Sequence, residues 1–495
     1  MDKQLNYLVN RYQQHIDRLQ QILSKLSNLR IASFLMLLAF MFLSIQNQLF
    51  SLIVIAALVS FIFWVKRYQF YERKRRFYQA KQNYCRMNLK RLNGEWKQFD
   101  YSNKKLQFRQ SHISLDMDIF GDQSLYKYLW INASRAGDQR LADNLAVNQP
   151  LPKLAEIQDA VRELKNMEYL RSTILAKIHS ENLDQFDVRK FVNWLNKPLA
   201  LERTDRYLAW SPLVMISLFV LSALFSGIGL AVAFLFIQFA IVLFRQSAWI
   251  GLYEDVLEKN KVFFAYRDIL QLVARQSFKS KKLSDIHSQF NRSDQDIFRG
   301  FTAFQKLINK LSLRYSDVAH NTMNSLFMWD IWTIKNLIRW QNKYKQQVPV
   351  WFDQLTEIEF LLALSNYYRL NPSYNFADLS GNSLQLKQLG HPLISENSRI
   401  CNDFEIEPGQ IAIITGSNMA GKTTFLRTVA INLVLAYCGA PVCAESFASP
   451  VLILESSIKI SDSLSDGVSF FYAEVKRLKE IVDCLKHNEY VIFFV

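Results

Sequence analysis

Two long stretches without a charged residue dominate the hydropathy pattern of the chain, residues 31–65 and residues 207–244. As a single helix, each stretch would extend more than about 50 Å, whereas the hydrocarbon core of a bilayer is roughly 30 Å thick. Each stretch also contains a natural fold-back point, "QNQ" at 46–48 and "SGIG" at 226–229. The pattern therefore predicts two helical hairpins, each with halves of about 15 to 18 residues.

The halves of both hairpins are apolar on all sides, as in "FLMLLAFMFL" and "LAVAFLFIQFAIVLF". Such helices are typical of membrane spans, although four buried core helices of a water-soluble protein would show the same pattern at this length. We favour membrane insertion. Basic residues flank both hairpins and place all their ends in the cytoplasm. They are Arg30, Lys66, Arg67, Arg73, Lys74, Arg75 and Arg76 for the first hairpin, and Arg203, Arg206 and Arg245 for the second. The prediction is a multi-pass protein of the inner (cytoplasmic) membrane.

A heptad pattern precedes the first hairpin. Its apolar positions alternate in steps of four and three over three repeats: Leu5, Val9, Tyr12, Ile16, Leu19, Leu23 and Leu26. This spacing predicts a helix with a coiled-coil partner. The partner is expected to be the returning helix after Val65, although a second protomer or the core of the protein would satisfy the same pattern.

The charge balance predicts a polyanionic partner, because 59 lysines and arginines exceed 44 aspartates and glutamates by 15. Ten of the basic residues lie between Lys66 and Arg91 with Glu72 as the single acidic residue, directly after the first apolar stretch. This position favours anionic lipid headgroups over nucleic acid. The five cysteines form no C-x-x-C pair, so neither a zinc site nor a disulfide framework is expected.

The two regions between and after the hairpins have helical patterns. Residues 110–200 contain two amphipathic segments separated by Pro150 and Pro152. Residues 247–370 show long helices with aromatic and leucine stripes, such as "FLLALSNYYRL", which are assigned to core packing.

A glycine-rich motif of the form G-x-x-x-x-G-K-[ST] follows near the C-terminal end of the sequence. In such a loop the backbone N–H groups point at phosphate oxygens, the lysine neutralises the β- and γ-phosphates, and the threonine hydroxyl binds Mg²⁺. We expect "QIAIIT" before the loop to be a buried strand and "TTFLRTVAINLVLAY" after it to be a helix. The sequence thus predicts a site for ATP and Mg²⁺, with Thr423 on the metal. The predicted binding residues are Gly416, Ser417, Asn418, Met419, Ala420, Gly421, Lys422, Thr423 and Thr424.

Several segments resemble the MutS mismatch-repair ATPases. "TGSNMAGKTTFLRT" resembles the family's nucleotide-binding loop, and "DSLSDGVSFFYAEV" at 462–475 is similar to its signature segment. "GHPLI" at 390–394 resembles the segment before the ATPase strand, and "DQSLYKYLWINASRAGDQRLADNLAVNQPL" is similar to the family's helical core. The resemblance implies an α/β P-loop NTPase domain of the ABC type. A mostly α-helical core and lever region with the two transmembrane hairpins would precede it.

The resemblance also implies a homodimer through the ATPase domains. Ser469 of one protomer would approach the γ-phosphate held by Lys422 and Thr423 of the other. Nucleotide would then control dimerisation, acting on double-stranded DNA, as in a DNA mismatch-repair protein. The relatives that read mismatches carry an N-terminal domain where this chain has the heptad helix and a hairpin, so mismatch recognition does not transfer directly. An ATP-switched membrane scaffold without nucleic acid is the alternative, and a transporter is disfavoured because the spans contain no ionisable residue.

The predicted organisation has seven segments. They are a heptad helix (1–29), hairpin 1 (30–66), a basic juxtamembrane helix (67–109), a MutS-like helical core (110–205), hairpin 2 (206–246), a helical continuation (247–384) and the ATPase domain (385–495). The strand "EYVIFFV" would be followed in the family by the acidic pair that binds Mg²⁺ and orients water. That pair is expected after Val495, so no catalytic residue is predicted within the chain and efficient hydrolysis is not expected of it.

Overall fold

A computed structural model of the chain describes residues 2–47, 50–101, 106–109, 111–183, 186–225, 228–257, 260–292, 294–417, 420–458, 470–487 and 490–495. The chain divides into two compact units. Unit 1 contains Met1–Asp184, Ser280–Lys282 and Glu359–Val495, and unit 2 contains Gln185–Lys279 and Leu283–Ile358.

Unit 1 begins with a long antiparallel helical hairpin of α1 (Asp2–Gln46) and α2 (Ser51–Leu92). Cross-contacts fix the pairing: the Arg30 guanidinium lies 4.5 Å from the Tyr68 ring centroid, and the His15 ring stacks on Tyr78 at 4.9 Å. Most of the heptad positions are buried in this pair, namely Leu5, Ile16, Leu19, Leu23 and Leu26. The partner of the heptad helix is therefore the returning helix of the same chain.

The apolar parts of α1 and α2 expose most of their large side chains. Both helices are long and apolar enough to cross a membrane by length and composition, and shorter apolar stretches lie at Ser211–Ser222 and Phe236–Leu252. Only 6% of the most apolar part of α1 and none of that of α2 is buried within the protein. The apolar parts of α1 and α2 are therefore not packed against other described parts of the protein, as the apolar sides of core helices are.

The C-terminal end of α2 enters the core of unit 1 through polar contacts. Tyr84 donates from its hydroxyl to Asn366 Oδ1 at 2.8 Å, and Asn88 Nδ2 donates to the same oxygen at 3.1 Å. Arg91 Nε donates to the carbonyl oxygen of Tyr128 at 3.0 Å. Because all three side chains are buried, these bonds satisfy groups that would otherwise be costly to remove from water.

Short helices build the rest of this core. After a 3₁₀ turn at Glu95–Gln98 come α3 (His112–Asp116), α4 (Leu125–Leu129), α5 (Arg135–Leu145), α6 (Leu154–Lys165) and α7 (Glu168–Ser180). Serines cap α3, α4 and α5, each accepting a backbone N–H of the first turn. The predicted break at Pro150 and Pro152 separates α5 from α6. The region before the ATPase domain is mostly helical, as the sequence predicts.

Every secondary structure element among the described residues of unit 2 is a helix. The unit contains α8 (Val188–Asn196), α9 (Arg203–Leu208), α10 (Ser211–Phe225), α11 (Ile228–Leu257), α12 (Asn260–Ala274), most of α13 (Lys281–Arg292), α14 (Asp294–Leu311), a 3₁₀ turn at Ser312–Tyr315, α15 (Asp317–Phe327), α16 (Trp329–Tyr344) and the first half of α17 (Gln347–Leu370). The apolar helices α10 and α11 pack together. At their polar end, the buried carboxylate of Asp205 accepts from Arg245 Nη2 at 2.9 Å and from Trp249 Nε1 at 3.1 Å.

The C-terminal part of unit 1 contains two small sheets. In the first, β1 (Leu384–Leu389) pairs antiparallel with β2 (Asn402–Ile406) and with β3 (Ser446–Ala448). In the second, β4 (Ile453–Ser456) pairs in parallel with β5 (Val491–Phe494), so the strand predicted in "EYVIFFV" is confirmed. The helices of this part are α18 (Lys422–Tyr437) and α19 (Phe470–His487).

Candidate nucleotide-binding site

The segment that leads into the glycine-rich loop, residues 411–416, has no strand partner among the described residues. The Ile411 and Ile413 side chains are 88% and 83% exposed. The prediction that "QIAIIT" is a buried strand is therefore wrong. A strand requires a neighbour that completes its backbone hydrogen bonds, and β4 and β5 bond to each other instead.

Glycine forms the turn from the loop into α18. Gly421 has a φ of +87°, a left-handed conformation that a residue with a Cβ adopts only with strain. The Phe425 N–H donates to the Gly421 carbonyl oxygen at 2.9 Å, and this is the first backbone hydrogen bond of the helix. Within the loop, the Ala420 N–H donates to the Ser417 carbonyl oxygen at 3.2 Å. The predicted binding residues Asn418 and Met419 lie outside the described residues.

The ammonium group of Lys422 folds back over the loop. Its Nζ donates to the carbonyl oxygens of Gly416 at 2.5 Å and of Ser417 at 3.1 Å. A cation is thereby held beside the positive end of the α18 dipole, where the first backbone N–H groups of a helix have no intrahelical acceptor. This combination is suited to binding an anion.

Two threonines follow the lysine in the first turn of α18. Thr423 is exposed, which leaves its hydroxyl accessible from solvent. The Thr424 carbonyl oxygen accepts from Thr428 Oγ1 at 2.6 Å, so this part of the turn is tied to the next one. Exposed loop amides, the Lys422 ammonium and the Thr423 hydroxyl are the groups required for a nucleotide phosphate and its magnesium ion, and the residues therefore fit this ligand.

The loop is attached to a rigid helix, because every residue from Thr428 to Tyr437 is buried. Asn432 Nδ2 donates to the Gly390 carbonyl oxygen at 3.1 Å, and its Oδ1 accepts from the Cys443 N–H at 2.8 Å. At the end of the helix, the Tyr437 hydroxyl donates to the Leu452 carbonyl oxygen at 2.8 Å. These contacts fix the helix that presents Lys422 and Thr423.

His391 belongs to the "GHPLI" segment and follows Gly390, whose carbonyl oxygen bonds to Asn432 of this helix. Burial, together with the positive charges of Arg399 and Arg427, lowers the pKa of His391 to about 4. Its Nδ1 accepts from the Leu393 N–H at 3.3 Å, which requires the unprotonated form of that nitrogen. The imidazole is therefore neutral at neutral pH.

Two ion pairs near the site were not predicted from the sequence. Arg427 of α18 pairs with Asp118 at 2.8 Å, and Arg477 of α19 pairs with Asp116 at 2.6 Å. Their partners lie more than 300 positions away, and no local pattern distinguishes these arginines from others on helix surfaces. The predicted signature residue Ser469 lies outside the described residues, so its approach to a nucleotide stays a prediction.

A comparison with protein families decides the nature of this region. Residues 412–493, which include the loop, α18, β4, α19 and most of β5, match the model of MutS domain V. The C-terminal region carries a MutS-family domain V. A domain of this kind is an ATPase, which implies the use of ATP and Mg²⁺ in general terms.

Individual relatives of the chain are DNA mismatch repair proteins MutS. That of Clostridioides difficile is 28% identical over 241 residues, which is 47% of this chain and 24% of the relative. That of Bacteroides thetaiotaomicron is 29% identical over 166 residues, or 32% and 19% of the two chains. That of Haloquadratum walsbyi is 31% identical over 116 residues, or 23% and 12%. The chain thus spans about a quarter or less of the length of these relatives.

The neutral, buried His391 predicts a pH-dependent stability. Its native pKa of about 4 lies below the ordinary value of 6.5, so the unfolded chain binds a proton that the native protein excludes between these two pH values. Stability should fall as the pH drops from 6.5 towards 4, by roughly 2 kcal/mol at pH 5 from this group.

Urea unfolding in detergent at pH 7.5 and at pH 5 measures the effect. The urea midpoint of the His391→Gln variant should fall less between the two pH values than that of the wild type, because glutamine does not titrate. Equal decreases in the two proteins would show that His391 does not contribute.

Proposed function

We propose that this protein is a membrane-anchored, MutS-like ATP-binding protein in which nucleotide controls the pairing of two domains V, and that the pair acts on DNA. The observation that carries the proposal is the Lys422 ammonium, held over a glycine-rich loop at the start of α18 within the region that matches domain V.

The roles of the site residues follow from their positions. The backbone amides of the loop from Gly416 to Gly421 would face the phosphate oxygens, and Lys422 would exchange its contacts with the loop carbonyls for the β- and γ-phosphates. The Thr423 hydroxyl would bind Mg²⁺, and Thr424 would add a backbone amide from the first turn. A bound Mg²⁺ would neutralise part of the phosphate charge that Lys422 leaves uncompensated.

Pairing follows from the resemblance of residues 462–475 to the family signature. Ser469 of one protomer would contact the γ-phosphate bound by the other, and a homodimer would then be more stable with ATP than without it. The pairing energy would come from a ligand that bridges two surfaces.

Membrane anchoring is supported by the exposed apolar surface of α1, α2, α10 and α11. A water-soluble protein rarely exposes a continuous apolar surface along helices of this length. The basic cluster between Lys66 and Arg91 begins where the apolar part of α2 ends, which is the position expected at the cytoplasmic face of a membrane. Domain V would then be cytoplasmic.

Anchoring predicts that the protein stays in the pellet when isolated membranes are washed with alkaline carbonate. Val59 is 62% exposed in the middle of the apolar part of α2, so Val59→Arg should place a charge in lipid and cost about 2.5 to 3.5 kcal/mol of insertion free energy. The carbonate-resistant fraction of this variant should decrease.

Tyr7→Arg is the matched control, because Tyr7 is equally exposed on α1 but lies far from the apolar stretch. This variant should remain in the pellet like the wild type. Recovery of the wild-type protein in the wash would refute anchoring.

Nucleotide binding predicts that Lys422→Ala lowers ATP affinity by at least about 100-fold, because charge-assisted hydrogen bonds to the phosphates are lost. Titration of the detergent-purified protein with a fluorescent ATP analogue measures this loss. Lys387→Ala is the control, since Lys387 is exposed on β1 of the same region. Unchanged affinity in the Lys422→Ala variant would contradict the assignment of the loop.

Action on DNA is supported by the names of the relatives and by the net charge of +15. An ATP-switched membrane scaffold is the second candidate, and one observation favours it. The six basic residues from Lys66 to Arg76 directly follow the apolar part of α2, where lipid headgroups rather than DNA would neutralise them. Both candidates share the same nucleotide site.

Salt dependence of binding separates the two candidates. If the protein acts on DNA, its affinity for a duplex should fall steeply as salt rises, with a logarithmic slope of about −0.9 for each phosphate contacted. Fluorescence anisotropy of a labelled duplex with the detergent-purified protein measures the slope. If the protein does not bind the duplex at 50 mM salt, with or without ATP, the proposed action on DNA is excluded and the membrane scaffold remains as the candidate function.

A further inference from the structure

The last residue of α3 and the turn that follows it contact both long helices of domain V through two aspartates, Asp116 and Asp118. Asp118 accepts from Arg427 of α18 at 2.8 Å, and this pair is partly exposed. Asp116 accepts from Arg477 Nη2 of α19 at 2.6 Å, and both partners are largely buried. An exposed ion pair contributes little, whereas a buried pair fixes the geometry of its partners strongly once it is fully hydrogen-bonded. Asp116 is therefore the more consequential of the two aspartates.

The Asp116 carboxylate joins two positions of the chain that lie on either side of the signature segment. Its Oδ2 accepts from the N–H of Ile458, two residues after the end of β4, at 3.1 Å. The Arg477 guanidinium that it binds lies in the second turn of α19, and Arg477 Nε also donates to the Ser456 carbonyl oxygen at 2.6 Å. The end of β4 and the start of α19 are thus tied to one carboxylate, and Ser469 lies between them in the sequence.

The position of Asp116 is itself fixed by the core of unit 1. Ser111 and Ser114 form a reciprocal capping box at the start of α3. Met117 and Ile119, on either side of Asp118, are fully buried. Burial lowers the pKa of Arg477 and the Asp116 carboxylate raises it, so the pairing offsets part of the cost of burying the guanidinium.

We propose that Asp116 is a positioning residue for ATP-dependent pairing: directly and through Arg477 it fixes Ile458 and the second turn of α19, the described parts of the chain that flank the signature segment in which Ser469 lies. This inference rests on the proposed function, since it assumes that Ser469 acts in trans. It adds a role for the helical core, which would set the geometry of a contact made by domain V.

Loss of the Asp116 charge should weaken ATP-dependent pairing but leave the ATP affinity of the monomer nearly unchanged. The contacts of Asp116 described above hold α19 and the end of β4 rather than the described residues of the glycine-rich loop, so Asp116→Asn should leave the ATP affinity of the monomer within about twofold of the wild-type value. ATP-dependent pairing should weaken about tenfold or more, because loss of one partner of a buried pair disturbs the other. Asn keeps the side-chain shape and an oxygen for the Ile458 N–H, but removes the charge.

The experiment uses the full chain in detergent. Binding of a fluorescent ATP analogue at low protein concentration gives the monomer affinity, and analytical ultracentrifugation with a non-hydrolysable ATP analogue gives the pairing constant. Asp122→Asn is the matched control, because Asp122 is exposed in the loop that follows the same turn. This control should pair like the wild type.

A comparison with Ser469→Ala separates positioning from a general structural effect. If Asp116 acts by placing Ser469, Asp116→Asn should cause little further loss of pairing in the Ser469→Ala background. An equal loss in both backgrounds, or a loss of monomer ATP affinity of tenfold or more, would overturn the inference.

The remaining outcomes separate this inference from the proposed function. Wild-type pairing that depends on ATP, with unchanged pairing in Asp116→Asn, would overturn the inference alone. No ATP-dependent pairing in the wild type would overturn the proposed function and the inference together.

Discussion

Burial of polar side chains at the C-terminal end of α2 is the constraint on which the arrangement of unit 1 depends. The polar side chains of Tyr84, Asn88 and Arg91 form their hydrogen bonds with one another and with partners in this core. A rotation or a one-residue shift of α2 would leave several of these groups buried without partners, at a cost of about 1 to 3 kcal/mol each. The rotation and the register of α2 against the core are therefore fixed. Because α2 is one arm of the exposed apolar hairpin, the hairpin is fixed relative to the core of unit 1 as well.

The features that could be predicted from the sequence are those set by neighbours along the chain. The heptad spacing indicated that α1 packs on a partner helix, and "GSNMAGKTT" indicated a loop followed by α18, because turn chemistry and helical periodicity act over a few residues. "EYVIFFV" was also predicted correctly as a strand, whereas "QIAIIT" was not. Both runs are apolar and rich in β-branched residues, but among the described residues only "EYVIFFV" has a neighbouring strand, β4.

The contacts that could not be predicted are those between distant parts of the sequence. Asp116 and Arg477 are separated by 361 positions, and each is an ordinary charged residue in its local segment. Their importance depends on burial, which is a property of the assembled core. The same holds for Asn366, which sits in an apolar helix where a sequence pattern assigns only packing. Local rules thus located the glycine-rich loop, and long-range packing located the residues that support domain V.

The continuity of α2 has a mechanical consequence. From the end of its apolar part at Val65 to Lys81, whose ammonium lies 4.6 Å from the centroid of the Tyr169 ring of α7, the helix runs 16 residues without interruption, or about 24 Å. With α1 alongside, it forms a stiff two-helix stalk. If the hairpin is inserted in a bilayer, this stalk would set the distance between lipid and core, and any macromolecule that engages domain V would have to enter a layer of that depth. Motion in the ATPase region would reach the membrane as tilting or twisting of the stalk, because a hydrogen-bonded helix does not change its length.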